Sequence, residues 1–344
     1  MTAMKKRRIL VIMHKDLVPP DSIEGLAPEQ IAPFKTEYDV LSALRRLGHE
    51  VHPLGIISNL GALRQAIIEG EPHVVFNLLE EFDGEAVMDY QVVSYLELLR
   101  MPYTGCGPRG MLLARDKALS KQILAYHRVP VPEFAVFPRD RKVRRPRRLA
   151  FPLFVKSLNE EASLGISQAS VVEDDEKLKE RVAFIHDRIG TDAIVEQYIE
   201  GREFYVGILG NQQLKVLPIW ELLFAKMPEG VPHIATAKVK WDRKYQKERG
   251  ITTAAAKDLP DGMADRIRNM CKRIYRVLDL GGYARIDLRM TPEGKLYVLE
   301  ANPNPQLAQG EDLAEAASAA GIPYDQLCRR IVDLGLRRAR KKAV

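Results

Sequence analysis

Tyr283-Ala-Arg-Ile-Asp-Leu-Arg-Met290, the turn Thr291-Pro-Glu-Gly294 and Lys295-Leu-Tyr-Val-Leu-Glu-Ala-Asn302 spell a β-hairpin. The two-residue period of a strand puts Arg285 and Asp287 on one face and Ala284, Ile286 and Leu288 on the other, and it lets Glu300 and Asn302 share a face. Two carboxylates and an amide carbonyl on one ribbon are hard oxygen donors. They suit a divalent cation, Mg²⁺ (or Mn²⁺), that also grips phosphate oxygens. The same residues admit a plainer reading, in which Arg285 pairs with Asp287 or Glu300 across an exposed sheet face. Asn302-Pro-Asn-Pro305 then stops the strand in a polar, constrained loop.

Working upstream, two lysines match a metal–phosphate site. Lys117 projects from the first turn of a predicted helix, Leu112 to His127, and Lys156 ends the apolar strand Phe151-Pro-Leu-Phe-Val-Lys156. An ammonium at the end of a buried strand needs an anionic partner, and triphosphate is a strong one. Each lysine alone reads as a surface charge; their weight comes from co-occurrence. The small-residue loop Ser157 to Ile166 follows, suited to closing over phosphates with backbone N–H groups. Further on, Glu196, Gln197, Tyr198 and Ile199 form a strand edge that can pair an adenine through backbone groups, and Glu203 can accept ribose hydroxyl hydrogens.

The first hundred residues alternate apolar strands (Arg8 to Met13, His73 to Leu79) with a helix, Tyr38 to Leu47, the pattern of a parallel sheet covered by helices. Leu17 to Lys35 is long for a strand-to-helix loop and reads as a lid or as decoration. Later segments read as a strand at Ile166 to Val172, charged helix around Asp174 to Ile189, strands from Ala193 to Trp220, and helices Met263 to Leu278 and Asp312 to Leu336. Gly105-Cys-Gly-Pro-Arg-Gly110 matches GxGxxG formally. Pro108 and the lack of a second-strand acid favour a domain-linking turn instead.

Composition excludes several classes. The chain has 344 residues, 46% hydrophobic and 28% charged, with a net charge of +6, enough for two or three globular domains. Its apolar runs are too short for a membrane span, and Cys106, Cys271 and Cys328 have no ligand or disulfide spacing. A cytoplasmic protein with no membrane partner is expected. The basic runs Arg139 to Arg148 and Arg337 to Lys342 lack interleaved aromatics, so they read as a solvated loop and a frayed tail, with no nucleic-acid partner.

Taken in order, these segments resemble the ATP-grasp superfamily and, within it, the D-alanine–D-alanine ligase branch. The resemblance rests on Thr36-Glu-Tyr-Asp-Val40, Leu44 to Val51, Leu96 to Gly105, Asp116-Lys117, Phe151 to Lys156, Glu196 to Glu203, Lys244-Tyr245, Arg285-Ile-Asp287 and Glu300-Ala-Asn302, nearly the whole chain. It implies an α/β (α+β ATP-grasp) fold: an N-terminal Rossmann-like parallel-sheet preATP-grasp domain at 1–103, then the two-part ATP-grasp fold, with a central subdomain at 104–192 and a C-terminal one at 193–344. It further implies ATP held by Lys117 and Lys156 at the phosphates, Glu196 to Ile199 at adenine and Glu203 at ribose, with Mg²⁺ on Asp287, Glu300 and Asn302. Arg285 would neutralise a tetrahedral oxyanion, and Glu37, Ser163 and Tyr245 would resemble the substrate-side and lid contacts. The lid is expected as a polar loop, Trp241 to Gly250.

The implied reaction joins a small-molecule carboxylate to an amine, both amino acids, through an acyl phosphate. The resemblance carries with it a homodimer and a place in peptidoglycan precursor synthesis. Departures bear on the substrate. Glu160, Glu161 and Ala162 stand where the family's phosphate loop is richer in glycine and serine, and Gln306 and Glu311 stand where it has a small glycine and a serine. The expected histidine after Asn77 is replaced by Glu80, Glu81 and Asp83 nearby. A ligase for a different dipeptide or modified amino-acid metabolite therefore stands beside the D-alanine reaction, and a non-catalytic nucleotide-binding scaffold beside both.

Overall fold

The computed structural model describes residues 5–160 and 163–342, with backbone alone for 339–342; the expected loop residues Glu161 and Ala162 lie outside the described residues. Three sheets organise the chain. The first has the order β2-β1-β3, from β1 (Arg8–His14), β2 (Glu50–Ile56) and β3 (Val74–Asn77), and all its pairings are parallel. Ile9 to Met13 are all buried, as an unbroken apolar run must be when helices cover both sheet faces. The Lys35–Arg46 helix covers one face with Val40, Leu41, Ala43 and Leu44. β2 had no apolar signature in the sequence because it is a largely exposed edge, and that edge tolerates Pro53.

The second sheet, β4-β7-β5-β6, is antiparallel and built from β4 (Phe134–Phe137), β5 (Leu153–Ser157), β6 (Val171–Val172) and β7 (Ala193–Gln197). In β5, Leu153 and Val155 enter the core of this unit, while the alternate Phe154 and Lys156 face a cleft. The third sheet runs β11-β10-β8-β12-β13, with β9 beside β8. Its strands are β8 (Arg202–Gly210), β9 (Leu214–Val216), β10 (Trp220–Phe224), β11 (Ile251–Ala255), β12 (Tyr283–Met290) and β13 (Leu296–Pro303). Its rear face sets Phe204, Val206, Ile208, Ala284, Ile286 and Leu288 against Ile267, Cys271 and Ile274 of the Met263–Val277 helix. Burying each of the larger aliphatic side chains there stabilises the fold by ~1.5–3 kcal/mol.

Several expected boundaries move. β7 belongs to the second sheet, so the change of sheet falls between Gln197 and Arg202 and not at 192/193. The helix expected over Leu112 to His127 is two, Pro108–Arg115 and Lys117–Tyr126, because Asp116 leaves helical geometry and accepts from the N–H groups of Ala118 and Leu119 at 2.9 Å. Within Ile166 to Val172, Gln168–Ser170 form a 3-10 turn and only Val171–Val172 lie in a strand. Gly321-Ile-Pro323 splits the last helical stretch into Asp312–Ala319 and Tyr324–Lys342, and the second runs through the basic segment expected to fray. The Gly105–Gly110 turn is a seam: a Cβ at Gly110 would lie 2.4 Å from Asp279 O, and Cys106 N–H donates to Asn304 Oδ1 at 2.7 Å. Among the described residues no helix is long and apolar enough to cross a membrane.

Candidate active site

Strand register builds one wall of the cleft. β8 pairs with β12 so that Glu203 faces Arg289, Tyr205 faces Asp287 and Gly207 faces Arg285; β12 pairs with β13 so that Asp287 faces Glu300 and Arg285 faces Asn302. All these residues therefore project to the side opposite the apolar rear face, as the period-two reading of the hairpin required. Arg285 forks onto Asp287 (Nε to Oδ1 2.8 Å, Nη2 to Oδ2 2.9 Å), and Asn302 Nδ2 donates to Asp287 Oδ2 at 3.1 Å. The plainer pairing is thus present, though Asp287 is only 4% exposed and lines the pocket, where Arg285 is not among the lining residues. Burial works against the Arg285 charge and the Asp287 carboxylate more than offsets it, so the guanidinium is held charged.

The second sheet supplies the facing wall. Phe154, Lys156, Glu196, Gln197, Tyr198 and Ile199 line one pocket together with Ser163, Lys240, Glu203, Asp287, Arg289, Leu299 and Glu300. Lys156 Nζ lies 3.3 Å from Glu196 Oε1, and Lys117 Nζ donates to Glu160 O at 2.6 Å. Burial raises the Glu300 carboxyl, but Lys156, Lys117, Lys240 and Arg285 overcome it and bring it down to about 2. Glu203 accepts from Arg289 (2.8 and 3.2 Å) and from the Tyr205 hydroxyl (2.9 Å). Arg289 also donates to Ile199 O at 2.7 Å, which ties the adenine-edge segment to the third sheet. The N–H groups of Gln197 and Tyr198 are engaged by Glu133 O and Pro152 O.

The remaining expected residues divide. Ser163, in the left-handed region at φ 61°, lines the pocket and donates to Ala235 O at 2.8 Å. Glu37 is buried on the Lys35–Arg46 helix, away from the pocket lining, and burial with the nearby Glu80 and Asp39 raises its carboxyl to about 7. Tyr245 is not among the pocket residues: it packs in a satellite cluster with Tyr205, Leu222, Val239 and Ile251. The lid expected as a loop is two short helices, Ala237–Trp241 and Arg243–Arg249, and the first delivers Lys240 to the pocket. Of the basic run, Arg139, Arg145 and Arg148 bond to protein carbonyls.

Sequence reading missed Lys240, Arg289 and Lys121. The signal for Arg289 was available, since it continues the Arg285, Asp287 alternation along β12. Lys121 sits one turn beyond Lys117 on the same helix face. Lys240 carried no signal, because only the packing of its helix decides which of several nearby lysines enters the cleft. Among the described residues no group of three or more His, Cys, Asp or Glu is placed to hold a metal, and the hairpin instead offers two carboxylates and one amide.

Residues 123–333 match the family described as D-ala D-ala ligase C-terminus. The chain is 31% identical over 304 residues to an uncharacterized protein, y4sG, of Sinorhizobium fredii, covering 87% of each. It is 31% identical over 312 residues to a D-alanine–D-alanine ligase of Oleidesulfovibrio alaskensis, covering 91% of this chain and 94% of that one. Among solved structures, the D-alanine–D-alanine ligase of Bacillus anthracis complexed with ATP matches 98% of this chain and 99% of its own at a TM-score of 0.74 and 23% identity, a likeness of fold.

Proposed function

Since the chain belongs to the D-alanine–D-alanine ligase family of ATP-grasp proteins, we propose that it is an ATP-dependent ligase that joins an amino-acid carboxylate to an amine through an acyl phosphate. The observation that carries this reading is the single pocket in which Lys156, Glu196 to Ile199 and Ser163 from one side meet Glu203, Asp287 and Glu300 from the other. In the proposal ATP lies there, its base along Glu196 to Ile199, its ribose by Glu203 and its phosphates by Lys156 and Lys117, with Lys240 added. Phosphoryl transfer needs chiefly alignment and charge neutralisation, which buried ammonium groups supply.

Asp287, Glu300 and Asn302 fit a divalent cation by donor chemistry: all offer hard oxygens, and Asn302 spends its amide nitrogen on Asp287, leaving its carbonyl oxygen as the acceptor. Mg²⁺ or Mn²⁺ bound there would supply charge neutralisation beside the triphosphate. Arg285 spends Nε and Nη2 on Asp287 and keeps Nη1 for a developing oxyanion. Ser163 is tied to Ala235, in the segment leading into the lid, so closing the lid would carry Ser163 with it and keep water from an acyl phosphate. Glu37 belongs to the substrate side of the proposal. Tyr245 stays with the lid as packing and is replaced at the pocket by Lys240. The three-part division is carried over with its second boundary moved to the 198–201 connection, and a homodimer is part of the same proposal.

An ADP-release screen over paired D- and L-amino acids and simple amines, with mass detection of the condensed product, tests the reading. D-alanine with D-alanine is the first pair. Tight ATP binding with background ADP release for every pair would favour the scaffold instead.

A further inference from the structure

Lys121 has no part in the chemistry above, yet the residue is 1% exposed and its side chain is among the largest fully buried ones. An ammonium that deep must have its donors satisfied. They reach Leu299 O at 2.6 Å and Val298 O at 3.3 Å, and the ammonium forms an ion pair with Glu196 Oε1 at 3.4 Å. The two carbonyls lie where the hairpin is irregular: Asp287 pairs with Glu300 but Leu288 pairs with Val298, so Leu299 is an extra residue in β13. A bulge leaves its extra residue outside the ladder and re-aims the neighbouring side chains. The effect shows in the pocket, which is lined by both Leu299 and Glu300, neighbours that a regular strand would send to opposite faces.

We propose that Lys121 is the positioning residue for Glu300: its ammonium caps the carbonyls exposed by the bulge, holds the bulge in register and thereby keeps Glu300 opposite Asp287. Glu196 compensates the buried charge while sharing the same oxygen with Lys156, so loss of Lys121 leaves Glu196 still paired. The effect of removing Lys121 therefore falls on β13 and its cation side before it falls on the nucleotide wall. This inference rests on the reading of Glu300 as a metal ligand.

The test is titration of Mn²⁺, followed by electron paramagnetic resonance, into the full chain saturated with a non-hydrolysable ATP analogue. Residues that orient metal ligands are worth roughly 10–100-fold in affinity. K121M is expected to weaken Mn²⁺ binding at least about tenfold, with affinity for the analogue in the absence of metal changed less than about threefold. K121Q, whose amide N–H can still reach a carbonyl, is expected to recover part of the loss. A K121M chain that melts like wild type and binds Mn²⁺ within about threefold of it overturns the proposal. Should K121M not fold, E196Q/K121M is compared with E196Q by the same thresholds, since the double variant removes the buried charge together with its counter-charge. A wild-type chain that binds the analogue but no Mn²⁺ removes the metal assignment and this inference with it, a result distinct from equal Mn²⁺ binding by wild type and variant.

Discussion

Glu37 gives the structure a pH dependence whose sign and size can be worked out. Burial, reinforced by Glu80 and Asp39 and opposed by its own backbone, lifts its carboxyl from 4.5 to about 7. Between these values the folded chain keeps a proton that the unfolded chain has released, so stability falls as pH rises through the window, and the full penalty is present above pH 7. At ~1.4 kcal/mol per pH unit the whole effect is about 3 kcal/mol, of which about 2 kcal/mol falls between pH 5.5 and 8.5. For a chain of 344 residues, with unfolding entropy of ~2.1 cal/mol/K per residue, this corresponds to about 3 °C in Tm. Glu37→Gln removes the titration while keeping size and polarity. Thermal melts of both chains at the two pH values should show the variant gaining about 3 °C on wild type as pH rises. A wild-type-to-variant gap that is the same at pH 5.5 and 8.5 would refute the reasoning.

Glu300→Gln is expected to reduce product formation roughly 100-fold or more while the melt stays close to wild type, because Glu300 sits at the pocket and is only partly buried; near-normal turnover would remove its metal role. Asp287→Asn is a harsher test than its place in the hairpin suggests, because it strips the carboxylate from a buried Arg285 fork and should also cost ~3 kcal/mol of stability in urea titrations. Arg285→Lys should lower kcat roughly 100-fold, since an ammonium cannot reproduce the fork that holds Asp287 and leaves one donor for an oxyanion; unchanged kcat rejects that role. Gly201→Ala should destabilise by about 3 kcal/mol or more, because Gly201 has φ 142° and an added Cβ would meet Met290 O at 2.0 Å; a loss under ~1 kcal/mol would show that the connection between the second and third sheets yields freely.

What could be read from the chain alone was whatever depends on neighbours a few residues apart. The alternation of Arg285 and Asp287 with Ile286 and Leu288 determined the polar and apolar faces of β12, and the unbroken run Ile9 to Met13 announced a strand covered on both sides. The ordered series of such segments was enough to suggest the family. Short-range sequence said less where an element was exposed, as for β2, or where one residue interrupted a helix, as Asp116 does. Tertiary structure alone decided which charges meet. Lys121 and Leu299 are 178 residues apart and Arg289 and Glu203 are 86 apart; the first pair is joined by a helix packed on β13 and the second by the pairing of β12 with β8, and no local periodicity encodes either. The same holds for Lys240 entering the cleft while Tyr245 turns to an apolar cluster, and for a bulge that puts Leu299 and Glu300 on one side. Periodicity dictates the face on which a side chain lies; the long-range burial of that face dictates its partner.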